Sequence, residues 1–421
     1  MNVLLRNVTI IDDSSPYHLK KKDILIENGI IQTIGEHLSK DDIQIIQADQ
    51  AFVSTGWIDI FTHFSDPGLE HRETLESGAE AAFAGGFTKV FTIANTHPVV
   101  DNKAQVAYIK EKSKSLPVQI FPIGAITKNA EGSNLSEMYD MYNAGAIAFS
   151  DGLHPIQSPG LFLKALQYVK AFDGVLIQQP FDTTVGTYGL INEGIISTQL
   201  GLPGLPAIAE ELIIMRDIEL LRYTESRLHI TGISSAKSVE LIARAKTEGL
   251  QITCSVTPYH LLFTDEDLQS YDTNLKLNPP LRTKSDREAL RKGILEGIID
   301  AIATHHFPQH NDDKDKEFEY AKNGMIGLQT AYPVVLESIP GLSAEQTADL
   351  FSFNASKIFQ LNRSKIAEGA EADLTVFNPA GNTIFTKEKN KSKSNNSPLF
   401  GKPLKGEIIA TISKNKIFIN K

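Results

Sequence analysis

Trp57-Ile58-Asp59-Ile60-Phe61-Thr62-His63-Phe64-Ser65-Asp66-Pro67-Gly68 is the stretch on which the fold of this 421-residue chain turns. Its residues 58–64 form an apolar, strand-like run. In a strand, residues i and i+2 share a face, so Phe61 and His63 point the same way. Seven further runs of this kind follow, at 89–95, 119–124, 146–150, 175–179, 228–233, 251–257 and 299–305. Helical patterns such as 207–222 and 238–248 separate them. Eight strand–helix units predict an α/β fold, a (β/α)8 barrel. Chemistry in such a barrel sits at the C-terminal ends of the strands. Those ends carry Phe61/His63, Asn95, Asp151, Gln179, Gly232, Tyr259/His260 and His305/His306.

Outside the barrel the pattern changes. Residues 3–11, 23–28, 30–34 and 43–47 read as short strands with polar turns, and 372–378, 405–412 and 416–419 resume that pattern. The two ends are expected to pair, giving a small β-sandwich domain from residues 1–52 and 366–421 beside a barrel of residues 53–365. A barrel of roughly 250–350 residues plus a smaller domain fits the length. The Lys/Asn/Ser-rich segment 387–397 is expected to be a surface loop, and 311–316 a solvated one. The net charge of −10 argues against a nucleic-acid or anionic-membrane partner. The single cysteine, Cys254, excludes an internal disulfide and a thiolate zinc site. No apolar run reaches the ~18 residues of a membrane span. The N-terminus alternates like a strand and lacks a signal peptide's features, so a soluble cytoplasmic protein is expected.

Several motifs sit at or near the strand ends. They are Arg72-Glu73-Thr74, Gly85-Gly86-Phe87-Thr88, Asn95-Thr96-His97-Pro98, Ala148-Phe149-Ser150-Asp151-Gly152 and Asn192-Glu193-Gly194. Further on come His229-Ile230-Thr231, Val256-Thr257-Pro258-Tyr259-His260-Leu261, Lys276-Leu277-Asn278-Pro279-Pro280-Leu281-Arg282 and Gly369-Ala370-Glu371-Ala372-Asp373-Leu374. Over nearly its whole length the chain resembles the dihydroorotases of the amidohydrolase superfamily, specifically the type associated with aspartate carbamoyltransferase. The resemblance implies zinc, which binds a hydroxide at near-neutral pH. The hydroxide attacks the ring amide of dihydroorotate, and an aspartate ending the eighth strand shuttles the proton. An arginine fork and an asparagine hold the substrate carboxylate. The resemblance also implies a homodimer and a role in pyrimidine biosynthesis.

Carried over residue by residue, most of that apparatus is replaced. The superfamily's first barrel strand ends in His-x-His, and Phe61 stands at the first of the two. Ser65 stands at the carboxylate-binding arginine, Gln179 and Gly232 at the ligand histidines of the fifth and sixth strands, and His305 at the catalytic aspartate. Phe307 and Gln309 alter the segment that follows. His63, Asp151 and Asn95 survive, and Asn278 lies in a loop that contacts substrate in relatives. Phe61, Phe307 and Phe181 put aromatic bulk where metal and polar groups fit in the family, which favours core over catalysis at ~25 cal/mol per Å² buried.

Two readings of these residues remain open. His63, Asp151 and His305, helped by His306, form a rebuilt metal site; or His63 is a satisfied barrel histidine, Asp151 a loop cap and Asn95 a turn residue. The expected function follows the second: a dihydroorotase-like protein, inactive or nearly so, with zinc absent or weakly held, acting as a structural partner of aspartate carbamoyltransferase. The alternatives are a working cyclic-amide hydrolase with a rearranged site, and a small-molecule sensor using the remnant pocket.

Overall fold

The computed structural model describes residues 1–420. The eight expected runs become parallel barrel strands, in order Trp57–Thr62, Phe87–Thr92, Gln119–Gly124, Ala148–Phe149, Leu176–Gln178, Leu228–Ile230, Ile252–Val256 and Ala301–Ile302. The barrel closes through a parallel bridge between Thr62 and His306, where the His63 N–H donates to the His306 carbonyl at 2.9 Å. Most strands are shorter than their apolar runs. At their C-terminal ends the backbone bends into loops, with Ser65 at φ 60° and His305 at φ 41°, so the last polar residues leave the ladder and face sideways.

The barrel interior holds Ile58, Ile60, Phe61, Phe91, Ile123 and Ile177, among others, with Phe307 packed on them. A second apolar layer lies between the strands and the surrounding helices, among them Ile208–Thr224 and Ala236–Thr247. Helix starts carry local signals. Thr74 caps Leu75–Ala84 in a reciprocal box with Ser77, and Thr257 caps the short helix Pro258–Leu262.

Both chain ends join one eight-stranded sheet. Its path runs Lys416–Ile419, Pro403–Ser413, Leu374–Ile384, Phe52–Thr55, Asn2–Ile11, Lys21–Glu27 and Ile30–Gly35. Gln44–Gln47 and Phe52–Thr55 pair in parallel with successive halves of Asn2–Ile11. Val3, Val8, Ile24, Val53, Val376 and Ile412 belong to its apolar core. The sheet meets the barrel at Gly56, where a Cβ would lie 2.0 Å from Thr88 Oγ1 and 2.4 Å from Asp373 Oδ1. No side chain fits there. Trp57 follows immediately, fully buried and stacked on Phe351 at 4.6 Å.

Segment 387–397 is the expected loop, with residues 387–389 exposed, and it is anchored as a strap: Ser394 and Asn396 are buried, and Ser392 and Lys393 bond Glu73. One loop expectation is corrected. In 311–316, Asn311–Lys314 is a helical turn, and the buried Lys314 ammonium donates to the carbonyls of Lys322 and Gly324. Polar composition misled because these polar groups find protein partners in place of water. No helix among the described residues is long and apolar enough to cross a membrane.

Candidate active site

His63 sits just past the first barrel strand, nearly fully buried. Its Nδ1 accepts from the Ser65 N–H at 2.9 Å and lies 2.9 Å from Ser65 Oγ. Its Nε2–H donates to the Asn95 carbonyl at 2.9 Å. The two bonds fix one neutral tautomer and engage both ring nitrogens. Burial, with the Arg72 charge nearby, lowers the His63 pKa to about 4. Ser65 lies against the histidine as its hydrogen-bond partner.

Asp151 follows the fourth strand, Ala148–Phe149. One carboxylate oxygen accepts from the Thr127 N–H at 2.9 Å and the other from the Thr127 hydroxyl. Burial raises its pKa to about 6 against those bonds. Asn95 spans the same junction: its amide donates to the Asp151 carbonyl at 3.0 Å and its Oδ1 accepts from the Leu153 N–H at 3.0 Å. Gln179 donates to the Asn278 carbonyl at 2.8 Å, tying the fifth strand to the 276–282 loop, while its Oε1 is buried without a partner among the described residues.

Gly232 and His305 are complementary in shape. Gly232 has φ +69°, and a Cβ on it would lie 2.6 Å from His305 Cε1. The imidazole fills the room a side chain at position 232 would need. Phe61 packs tilted against His305 at 4.6 Å and Phe307 meets it edge-on at 5.8 Å. Burial lowers the His305 pKa to about 3. Its Nε2 lies 2.9 Å from Thr231 Oγ1, which accepts from the Ser255 hydroxyl at 3.0 Å. Ser255 contacts His229 Nε2 at 3.0 Å, and His229 Nδ1 meets Thr253 at 2.9 Å. Sequence reasoning missed this chain. Its signal was the polar alternation His229/Thr231 and Thr253/Ser255, each pair on one face of its strand.

The histidines at 305, 306 and 310 do not cluster. His306 turns away from His305 toward the buried Glu73, with Nε2 at 3.3 Å from Oε2, while its Nδ1 accepts from the Gly327 N–H at 3.1 Å. Glu73 also takes the Ser392 hydroxyl and the Lys393 N–H, which anchors the strap. His310 is exposed beside Asp312. Phe181 packs toward Gly186, so the aromatic filling comes from Phe61 and Phe307 alone of the three phenylalanines named for it.

A cavity of about 230 Å³ remains at the mouth. Tyr259, His260 and His305 form its buried floor, and it opens beside Leu153, Asn278 and Asn323. Among the described residues no Asp, Glu, Lys or Arg side chain lines it. Arg72 is paired instead with Asp313 at 3.6 Å.

Comparison with known proteins bears on what this mouth descends from. A family model described as Dihydro-orotase-like matches residues 51–238. The dihydroorotase of Carboxydothermus hydrogenoformans is 41% identical over 418 residues, covering 98% of this chain and 96% of that protein. That of Pelobacter propionicus is 38% identical, covering 99% of each. This chain belongs to the dihydroorotase family. Among solved structures, the L-hydantoinase (dihydropyrimidinase) from Arthrobacter aurescens has a TM-score of 0.85 at 23% identity, covering 100% of this chain and 96% of that one. That likeness shows the shared amidohydrolase fold.

Dihydroorotases are metal-dependent, so the donors present can be tested against zinc. They do not fit. A zinc site needs three or four protein ligands with free lone pairs. His63 must break a bond to Ser65 or Asn95 to offer one, Asp151 alone keeps lone pairs free beside its bonds to Thr127, and Gly232 and Phe61 offer none. Among the described residues, no three His, Cys, Asp or Glu side chains are grouped to hold a metal.

Proposed function

We propose that this member of the dihydroorotase family has lost hydrolysis, wholly or nearly so, and serves pyrimidine biosynthesis as a structural partner of aspartate carbamoyltransferase. The engagement of both His63 ring nitrogens carries the first half of this reading. Cyclic-amide hydrolysis in the family runs on a metal-bound hydroxide, which needs an available imidazole here. The substrate carboxylate would also lack its cation, because Ser65 is buried under His63. The partner role draws on the resemblance of the motifs to the carbamoyltransferase-associated type, together with an intact barrel and anchored mouth loops. A cytoplasmic homodimer is part of the same reading.

The test is co-expression with the aspartate carbamoyltransferase chain of the same organism, followed by size exclusion at micromolar concentration. Co-elution supports the partnership, and separate elution rejects it. Dihydroorotate turnover with zinc supplied tests the loss of activity. A second reading, a hydrolase with a rearranged site, is favoured by one observation: His305 Nδ1 is buried without a partner beside the cavity. Turnover above background that disappears in His305→Ala would support it.

A further inference from the structure

Helix Ile208–Thr224 is apolar on both sides. Its inner side buries Ile213, Ile214, Ile218 and Leu221. Its outer side carries Ile208, Leu212, Met215, Glu219, Arg222 and Tyr223, whose three- and four-residue spacing lines them up along one face. At 1.5 Å per residue this stripe is ~22 Å long. Its four apolar members are between 37% and 74% exposed. A helix that is apolar all round is normally a buried helix, covered on both sides. Among the described residues nothing covers the outer side of this one.

The exposure is concentrated. Seven of the sixteen large apolar side chains exposed among the described residues fall between residues 185 and 223, under a tenth of the chain. Single exposed apolar residues are ordinary, whereas a concentration of them marks an interaction surface. Besides the stripe, the seven include Val185, Tyr188 and Ile195 on the segment that leads into the helix. That segment is tied to the first turn of the helix by the Asp182 N–H, which donates to the Ala209 carbonyl at 2.8 Å. At roughly 200 Å² for a large side chain fully in water, the seven expose roughly 800 Å². Each partner in a stable interface of standard size buries about 800 Å².

Charge and symmetry name the occupant. The stripe holds one acid and one base, Glu219 and Arg222, which pair with each other, and Arg222 also pairs with Glu248. A strongly charged partner finds no free complement there. The chain carries a net charge of −10, so two copies repel over most of their surface and meet most easily at a charge-balanced apolar strip. The stripe is also self-complementary. Two copies of the helix packed antiparallel about a two-fold axis beside Met215 bring Ile208 against the partner's Tyr223, and Leu212 against the aliphatic stem of the partner's Glu219. Met215, flexible and polarizable, fills the centre. We propose that the outer face of this helix is the surface on which two copies of the chain join as a two-fold dimer. The inference rests on the homodimer reading and adds the surface to it.

The experiment is sedimentation equilibrium on the full chain at micromolar concentration, for the parent, Leu212→Lys and Met215→Glu. The parent is expected to be a dimer. Each substitution occurs twice across a two-fold axis, so each variant is expected to bind its partner copy about a hundredfold more weakly or worse. A thiol variant answers the same question if either charge unfolds the chain. Cys254 is fully buried, so Met215→Cys supplies the reactive thiol. A bis-maleimide that spans the ~8–10 Å between packed helices should link Met215→Cys into dimers. It should not link Leu295→Cys, an exposed position two helices away. A dimer that persists unchanged in both charged variants, or a dimer that Met215→Cys does not link, overturns the surface and leaves the homodimer standing. A monomeric parent overturns both. Protection of Met215→Cys from maleimide only when the carbamoyltransferase chain is added would assign the stripe to that partner and overturn the inference.

Discussion

Phe61→His, which places a second histidine two residues before His63, should harm this protein and gain it no metal. Phe61 is fully buried, packed against His305 and in edge contact with Phe307. Exchanging its ring for imidazole forfeits most of the ~1.5–3 kcal/mol that burying a phenylalanine contributes. It also buries a polar ring with no partner in place, at about 1–3 kcal/mol. The two together come to about 4 kcal/mol. Unfolding entropy near 2.1 cal/mol/K per residue gives about 0.9 kcal/mol/K for a chain of this length, so Tm should fall by about 4–5 °C. Zinc is then the discriminator. If positions 61 and 63 formed a poised site, zinc at about 100 times its Kd would return ~2.7 kcal/mol, or about 3 °C. The structure predicts no such return, because His63 would first have to give up Ser65 or Asn95. Scanning calorimetry of parent and variant, with chelator and with zinc, checks this. An undiminished Tm, or a zinc-dependent gain of about 3 °C confined to the variant, would refute the reasoning.

Gly232→Ala should destabilise by about 2–4 kcal/mol in urea titration, combining a strained positive φ with a Cβ driven against the His305 ring; parent-like stability would mean that the imidazole does not fill that room. Glu73→Ala should release the strap, so trypsin cleavage at Lys389, Lys391 or Lys393 should speed up by about tenfold or more, about 1.4 kcal/mol of lost anchoring; an unchanged rate would place the anchor elsewhere. The pH dependence has two opposed parts. His63 and His260 titrate at about 4 and His229 and His305 at about 3, all lowered by burial, so their contribution is present above pH 6.5 and lost as pH falls toward those values. Asp59 and Asp217 at about 7 and Asp151 at about 6, raised by burial, contribute fully below about pH 3.8 and lose that contribution as pH rises through 6–7. In His305→Phe the unfolded chain takes up one histidine proton fewer between pH 6 and 4, so stability in that variant should fall by about 1.4 kcal/mol less per pH unit of acidification than in the parent. Denaturant titrations in which the two slopes agree would contradict the burial of a neutral His305 imidazole.

The sequence by itself determined the architecture. Period-two runs separated by helical patterns give eight barrel units, because alternation is a local property of a strand. The replacements expected at Phe61, Ser65, Gln179, Gly232 and His305 came from residue identity at motif positions alone. Tertiary structure decided what the surviving residues do. Whether His63 offers a lone pair depends on the Asn95 carbonyl at the end of the next strand. Asp151 is held by Thr127, in the loop after the third barrel strand. His305 and His306 are adjacent in sequence, yet they face Thr231 and Glu73 in turn. The polar segment 387–397 is anchored because it meets Glu73 more than 300 residues away in the chain. Hydrogen-bond partners of this kind come from residues that only folding brings together, so no local pattern records them.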